Sequence, residues 1–420
     1  MRTHKIPSAP ENYPVTPKVS PSQINNIYQS IVPGPNYCGS KVPVQSDLNI
    51  EHWKEFAPIV DKIDQTLIAQ LECGFTMGID YHADIEIPVT NHLSARQDYQ
   101  VIDEFVMKHY QTGAILGPYE RNPFPVAVKP SPMQVATSSA GKKRPVLDMS
   151  YPRGKSINDA IPSEWNEIHG FDGSFKLPTH DNVCHAIVTT PDPVIFISDF
   201  KSYYMQIPSD WADTPLMCFT WRSAIWLHRR LPFGCRSSCL HAQRVTDAVV
   251  AIFRARTGRH LDGYVDDMIS VLTKIVSAHC YAYFHWLCEY LGLGIAIEKC
   301  LTPDVIRQFL GLLYNLVDMV MSLPDDKLHR VLQILNEWLQ RETCTKAQTQ
   351  TLLGHLNHLS AVVHAGRPFT ARVVDILRES EFPAKVTLEL KKDIQVWIEL
   401  LTSDFACSSI IKSQDLSPPG

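Results

Sequence analysis

Gly263-Tyr264-Val265-Asp266-Asp267-Met268-Ile269-Ser270-Val271 sets two adjacent carboxylates between short apolar runs. The pattern predicts two strands joined by a tight turn, with both Asp side chains near its tip. Alone, an Asp-Asp turn between strands is usually just a solvated hairpin. The other parts of a site must therefore come from elsewhere in the chain.

The chain has 420 residues, 45% hydrophobic and 20% charged, the composition of a globular protein with room for roughly two or three subdomains. No apolar run is long enough to span a bilayer, and Met1-Arg2-Thr3-His4-Lys5 leads into Pro and polar residues rather than a signal-type stretch. The 11 Cys follow no framework spacing, as in a reducing compartment. These features predict a soluble, intracellular protein of the cytoplasm or nucleus that makes no use of a membrane. A net charge of −5 does not favour nucleic-acid binding, although a local basic cleft on an acidic body is compatible with it.

Residues 1–50 are rich in Pro, Ser, Asn and Gln and are expected to form a disordered arm. Trp53, Phe56, Val60, Ile63 and Leu67 then recur at helical spacing, with Pro58 either kinking that helix or starting it. A second helix is expected around Tyr99–Val106, with Val101, Phe105 and Tyr110 on one face. Met133–Thr137 and Lys142–Met149 read as a hairpin with a basic turn. Lys142, Lys143 and Arg144 at its tip suit a triphosphate, or form a plain basic surface turn.

Val194-Ile195-Phe196-Ile197-Ser198-Asp199 is a buried-type strand ending on a carboxylate. An Asp there points into a cleft or caps a following helix. Leu231-Pro232-Phe233-Gly234 opens a loop where Gly234 lets backbone approach a ligand, and Val245, Val249, Ile252 and Phe253 then mark a helix. Cys235, Cys239 and His241 in between lack a fourth zinc ligand at ordinary spacing. Further on, Tyr283, Leu287, Tyr290 and Leu291 mark a helix closed by Gly292, and Phe309–Leu313 with Met319–Met321 reads as a small hairpin. Asp325-Asp326 suits a helix start, and Thr345 with Gln348 a capping box for a helix running to Gly366. The tail from Ser413 is expected to be disordered.

One strand-end Asp, two hairpin-tip Asp, a basic hairpin and a Gly loop feeding a helix form a coherent set. Clustered carboxylates repel and take up protons unless a cation compensates. Oxygen ligands without His or Cys select Mg²⁺ or Mn²⁺. Two such ions, about 3.5 to 4 Å apart, serve in-line phosphoryl transfer, leaving little covalent work to the protein.

In order and rough spacing, Asp199 with Tyr204, Leu-Pro-Phe-Gly, Tyr-Val-Asp-Asp, a downstream Lys and Phe-Leu-Gly resemble the reverse transcriptase palm, over roughly residues 50–405. Asn91-His92-Leu93-Ser94-Ala95, Gly117-Pro118-Tyr119, the run from Leu147 to Asp159, Leu353-Gly354-His355-Leu356 and Gly366-Arg367-Pro368-Phe369 resemble retroelements of the DIRS and Ngaro type, which mobilise with a tyrosine recombinase. The resemblance implies an α+β right-hand polymerase of fingers, palm and thumb, its antiparallel palm sheet backed by helices. It divides the chain into the arm (1–50), a helical extension (51–125), fingers (126–198), palm (199–305, with fingers elements between 205 and 230), primer-grip hairpin and thumb (306–378), and the start of a connection with a disordered tail (379–420).

By the same resemblance Asp199, Asp266 and Asp267 hold two Mg²⁺ ions, with Asp267 the weaker ligand, and Lys299 neutralises or protonates pyrophosphate. Tyr204 is the steric gate against a ribose 2′-hydroxyl. Phe233, Gly234 and Gln243 line the nucleotide and template, and Arg144 holds the triphosphate. Phe309, Leu310 and Gly311 resemble the primer grip. Ser138 stands where the family commonly has Lys, so Lys142 or Lys143 must compensate; Ser202 replaces a common acid and Cys239 a common Pro. The implied partners are an RNA template, a DNA primer and deoxynucleotides, with ribonuclease H and recombinase functions, not visible here, supplied by other chains. Two other readings stay open: a catalytically silent palm that only binds nucleic acid, and an RNA-dependent RNA polymerase, against which Tyr204 speaks.

Overall fold

The computed structural model describes residues 6–31, 39–87, 90–138, 141–164, 175–379, 381–403 and 408–411. Asp262–Tyr264 pairs antiparallel with Asp267–Thr273, placing Tyr264 opposite Asp267. The longer strand pairs in turn with Pro193–Asp199, in unbroken register from Pro193 opposite Thr273 to Asp199 opposite Asp267. Leu301–Asp304 closes the far edge of this four-stranded antiparallel sheet.

Side-chain alternation lets this one sheet serve two cores. Phe196, Met268 and Leu272 join a core with Val245, Val249, Ile252 and Phe253 of helix Ser238–Thr257 and with Phe284, Leu287 and Leu291 of helix Lys274–Leu291. Ile195, Ile197, Ile269 and Val271 face the other way, into a core with Val183 and Ile187 of helix His180–Thr189 and with the C-terminal helices. Burial on both faces explains why the strand before Asp199 is apolar without interruption. The strand Pro193–Asp199 lies wholly inside the sheet.

Met133–Thr137 and Lys143–Leu147 form the expected basic hairpin. Ile115–Tyr119, Ala224–His228 and Cys218–Trp221 form a separate three-stranded sheet. Helix Tyr99–Gln111 turns Ile102, Asp103, Val106 and His109 inward; Val101, Phe105 and Tyr110 lie at the margin of its buried face. Near Pro58 the chain makes two helices, Ile50–Glu55 and Ala57–Val60, with Pro58 in the first turn of the second, where its missing N–H costs nothing.

Beyond the sheet, Ile306–Phe309, Leu312–Asn315 and Val320–Ser322 continue as hairpins, and Ser408–Ile410 pairs with the last strand. Asp325 and Asp326 open helix Asp325–Gln340, and Thr345 and Gln348 form a capping box for helix Lys346–Leu359. That second helix ends before Gly366, which instead lies under the Trp397 ring of helix Leu388–Thr402.

The N-terminal arm differs from expectation. Its described residues pack: helix Pro21–Gln29 carries a Ser20/Gln23 capping box and buries Ile24 and Tyr28 against Tyr119, Phe124, Trp211 and Leu227. Apolar residues spaced thinly among prolines still form a strip when another surface receives them. The tail expected to be disordered from Ser413 lies outside the described residues.

Candidate active site

Asp199 ends its strand almost fully buried, and strand pairing sets it directly opposite Asp267. Asp266 lies in the turn before Asp267, and its carbonyl accepts a 3.0 Å bond from the Phe200 amide. The three carboxylates thus meet at one sheet end although 67 residues separate Asp199 from Asp266, by numbering 266 − 199. Lys299 comes from the short turn Ile297–Lys299, held near by a 2.8 Å bond from the Ala296 amide to the Asp199 carbonyl. Its ammonium lies 2.8 Å and 2.7 Å from the two Asp199 oxygens.

The electrostatics follow from this crowding. Burial, then the charges of Asp266 and Asp199, push the Asp267 carboxyl up to about 6. Burial and Asp199 also raise Asp266, while Lys299 and Arg144 oppose the shift. Partial burial pulls the Lys299 ammonium down, but its bond to Asp199 and the charges of Asp199, Asp266 and Asp267 together raise it. Among the described residues no three Asp, Glu, His or Cys side chains form a ready-made metal cage. A few hard-oxygen donors with Lys299 as internal counter-charge suit Mg²⁺, which binds through one or two carboxylates together with substrate phosphates.

A cavity of about 350 Å³ opens beside Asp266 and Lys299, walled by Lys142, Arg144, Tyr204 and Phe233. The Tyr204 and Phe233 rings lie 5.8 Å apart, and burial raises the Tyr204 phenol. Phe105, Met133 and His228 also line the cavity. They are drawn from a helix and two sheets distant in sequence, and nothing in their local pattern marks them.

Three residues do other work than expected. Lys143 is ion-paired with Asp98, which leaves Lys142 and Arg144 as the basic residues of the hairpin that reach the cavity. Gln243 is buried, and its amide is spent on the Asp-Asp turn: Oε1 accepts from the Val265 amide at 2.7 Å and Nε2 donates to the Gly263 carbonyl at 2.9 Å. It positions backbone and is not among the residues that line the cavity. Gly234, at φ +127°, lets its loop sit on the basic hairpin, since a Cβ there would overlap the Leu147 carbonyl.

Ser138, where a Lys was wanted, accepts from the Lys142 amide and so helps to form the basic turn. Cys235 and His241 are buried, and Cys239 lies beside Tyr204. Leu310 and Gly311, at φ +44° and +87°, make the turn of the hairpin beyond the sheet, close to Lys327 and His358 and away from the cavity.

Residues 129–313 match the family described as reverse transcriptase (RNA-dependent DNA polymerase). No curated protein sequence matches the chain. Among solved structures, the foamy viral protease-reverse transcriptase dRH in complex with double-stranded DNA superposes with a TM-score of 0.57 at 16% identity, covering 91% of this chain and 63% of its own. The same viral protein with an RNA/DNA hybrid gives 0.57 at 16% identity, covering 91% and 48%. Its complex with double-stranded DNA gives 0.56 at 17% identity, covering 92% and 76%. The chain therefore spans less than two thirds of the length of the first two. Residues 129–313 thus resemble a reverse transcriptase domain, and the mixed helix and antiparallel-sheet fold is similar to that of foamy viral reverse transcriptase.

Proposed function

We propose that this chain is an RNA-directed DNA polymerase that extends a primer 3′-hydroxyl with deoxynucleotides on an RNA template. The observation that carries the reading is the cross-strand pair Asp199–Asp267, beside an Asp266 that lines a cavity walled also by Arg144, Lys142, Tyr204 and Phe233. In this reading Asp199, Asp266 and Asp267 hold two Mg²⁺ ions. When bound, these supply activation of the primer hydroxyl and charge neutralisation at the leaving pyrophosphate.

The chain's own residues do the rest. Arg144, a fixed fork of donors, grips triphosphate oxygens in pairs, and Lys142 adds a mobile charge. Tyr204 and Phe233 wall the sugar and base, and the Tyr204 ring fills the space a 2′-hydroxyl needs. Lys299, paired with Asp199 in the free protein, is close enough to turn to pyrophosphate once other cations neutralise that carboxylate. The motifs quoted for DIRS and Ngaro elements support an origin in a tyrosine-recombinase retroelement. An intracellular place of action fits nine described cysteines that are all free. Among the described residues no helix is long and apolar enough to cross a membrane.

The test is primer extension on an RNA template by the purified chain with Mg²⁺ and deoxynucleotides, beside Asp266→Ala/Asp267→Ala. Extension that vanishes in the variant supports the reading. Binding of primer and template without extension by the wild type favours the silent palm, for which the sequestration of Lys143 by Asp98 is the supporting observation. Preference for ribonucleotides by the wild type would remove the gate role from Tyr204.

A further inference from the structure

Val265 occupies the left-handed region at φ +56°, a conformation that a β-branched residue adopts only when its surroundings impose it. Asp266 and Asp267 follow Val265 directly in the turn, so whatever holds Val265 also sets the direction of those two carboxylates. Gln243 satisfies the Val265 amide, but the carbonyl needs a separate donor. That donor is the Thr246 hydroxyl, 2.6 Å away. Thr246 is fully buried one helical turn beyond Gln243, and its methyl packs where a Cβ on Gly263 would overlap it.

A hydroxyl has one hydrogen. Thr246 gives its own to Val265 and must accept from Tyr203, whose hydroxyl lies 2.8 Å away, nearer than the 3.1 Å to the Ala242 carbonyl. Tyr203 is itself fixed by stacking on Phe200, ring centroids 4.6 Å apart, and Phe200 donates its amide to the Asp266 carbonyl. A directed chain thus runs from the Tyr203 phenol to Thr246 to the Val265 carbonyl. It starts at the residue that precedes Tyr204 and ends at the turn that bears Asp266.

We propose that Tyr203 and Thr246 are positioning residues, whose hydroxyl chain holds the Val265 turn so that Asp266 and Asp267 present their carboxylates to a divalent cation. The proposal rests on the polymerase reading for its purpose, but its geometry concerns cation binding alone. Supporting groups of this kind typically change metal affinity about 10- to 100-fold when removed.

The experiment measures Mn²⁺ binding by the full chain without nucleic acid, using calorimetry or electron paramagnetic resonance, and Mg²⁺-dependent extension in parallel. Thr246→Val keeps the shape and removes the hydroxyl, Thr246→Ser keeps the hydroxyl, and Tyr203→Phe removes the first donor. The expected result is Mn²⁺ affinity about tenfold weaker in Thr246→Val and Tyr203→Phe, with Thr246→Ser near the wild type. Wild-type affinity in both Thr246→Val and Tyr203→Phe overturns the proposal. So do equal losses in Thr246→Val and Thr246→Ser, which would trace the effect to packing, and so does absence of Mn²⁺ binding by the wild type. A wild type that binds Mn²⁺ with the expected variant pattern yet extends no primer leaves this inference standing and removes the polymerase reading. Extension with unchanged affinities does the reverse.

Discussion

Asp267 faces Asp199 across the sheet and follows Asp266 in the chain, and three carboxylates this close resist joint ionisation. The Asp267 carboxyl, pushed up to about 6 from an ordinary 3.8, binds its proton more tightly folded than unfolded. The contribution of this group to stability therefore rises as pH falls from above 6 towards 4. Cation binding has the opposite sign, because a metal must displace that proton. Divalent affinity is expected to fall steeply as pH drops through about 6, checked by Mn²⁺ titration at pH values on either side; a flat profile would refute the shift. Removing the repulsion in Asp267→Asn is expected to raise stability at neutral pH without metal by about 1 kcal/mol after solvent screening, while weakening Mn²⁺ binding. Urea unfolding and calorimetry report the two effects separately. The three acids were legible because each marks the end of an apolar run. The partners of Lys143 and Gln243 were not, because Asp98 lies 45 residues from the one, by 143 − 98, and the Gly263 carbonyl belongs to a strand that only the fold brings to the other.

At the scale of elements, the Pro-Gly loop and the basic hairpin behave as one body. The Leu147 amide donates to the Phe233 carbonyl at 3.1 Å, and Asn158 bonds the Gly234 carbonyl at 2.8 Å and accepts from the Arg236 amide at 2.8 Å. Gly234→Ala adds a Cβ against the Leu147 carbonyl at a φ that alanine rarely adopts. The expected cost is about 1–3 kcal/mol, read by urea unfolding, and Phe233 and Arg144 should separate, raising KM for deoxynucleotides more than lowering kcat. Wild-type stability in this variant would mean that the loop is not seated on the hairpin. Periodicity was a good guide where an element buries one face, as in the second half of helix Ser238–Thr257 with Val249, Ile252 and Phe253 inward, and capping chemistry located the start of helix Lys346–Leu359. It gave less where Pro dominated composition. Ser20 with Gln23 has the spacing of a capping box, yet the surrounding prolines read more strongly as disorder.

Across the whole molecule, that arm is a clamp. Tyr13 and Leu48 enter the larger core, while Ile24, Tyr28, Ile31 and Val44 form a third cluster with Leu116, Tyr119 and Trp211. Polar contacts tie the same segment to distant parts of the chain. Ser40 donates its amide to Asp210 at 2.6 Å, Arg230 donates to the Gln45 carbonyl at 2.7 Å, and the Asn49 amide reaches the Leu291 carbonyl at 3.0 Å, at the end of a helix that backs the central sheet. Gly292 follows there, and a Cβ on it would overlap the Asp47 carbonyl, so the arm lies flush on that helix end. Each fully buried large apolar side chain contributes about 1.5–3 kcal/mol, so the six named here together rival the roughly 5–15 kcal/mol by which domains are stable. A chain beginning at residue 50 is therefore expected to lose cooperative unfolding or to precipitate, because Leu116, Tyr119, Trp211 and Leu227 would face water. Differential scanning calorimetry of residues 50–420 against the full chain decides this: an unchanged transition would show that the arm packs without stabilising, and a lost one that the polymerase-like body needs it to fold.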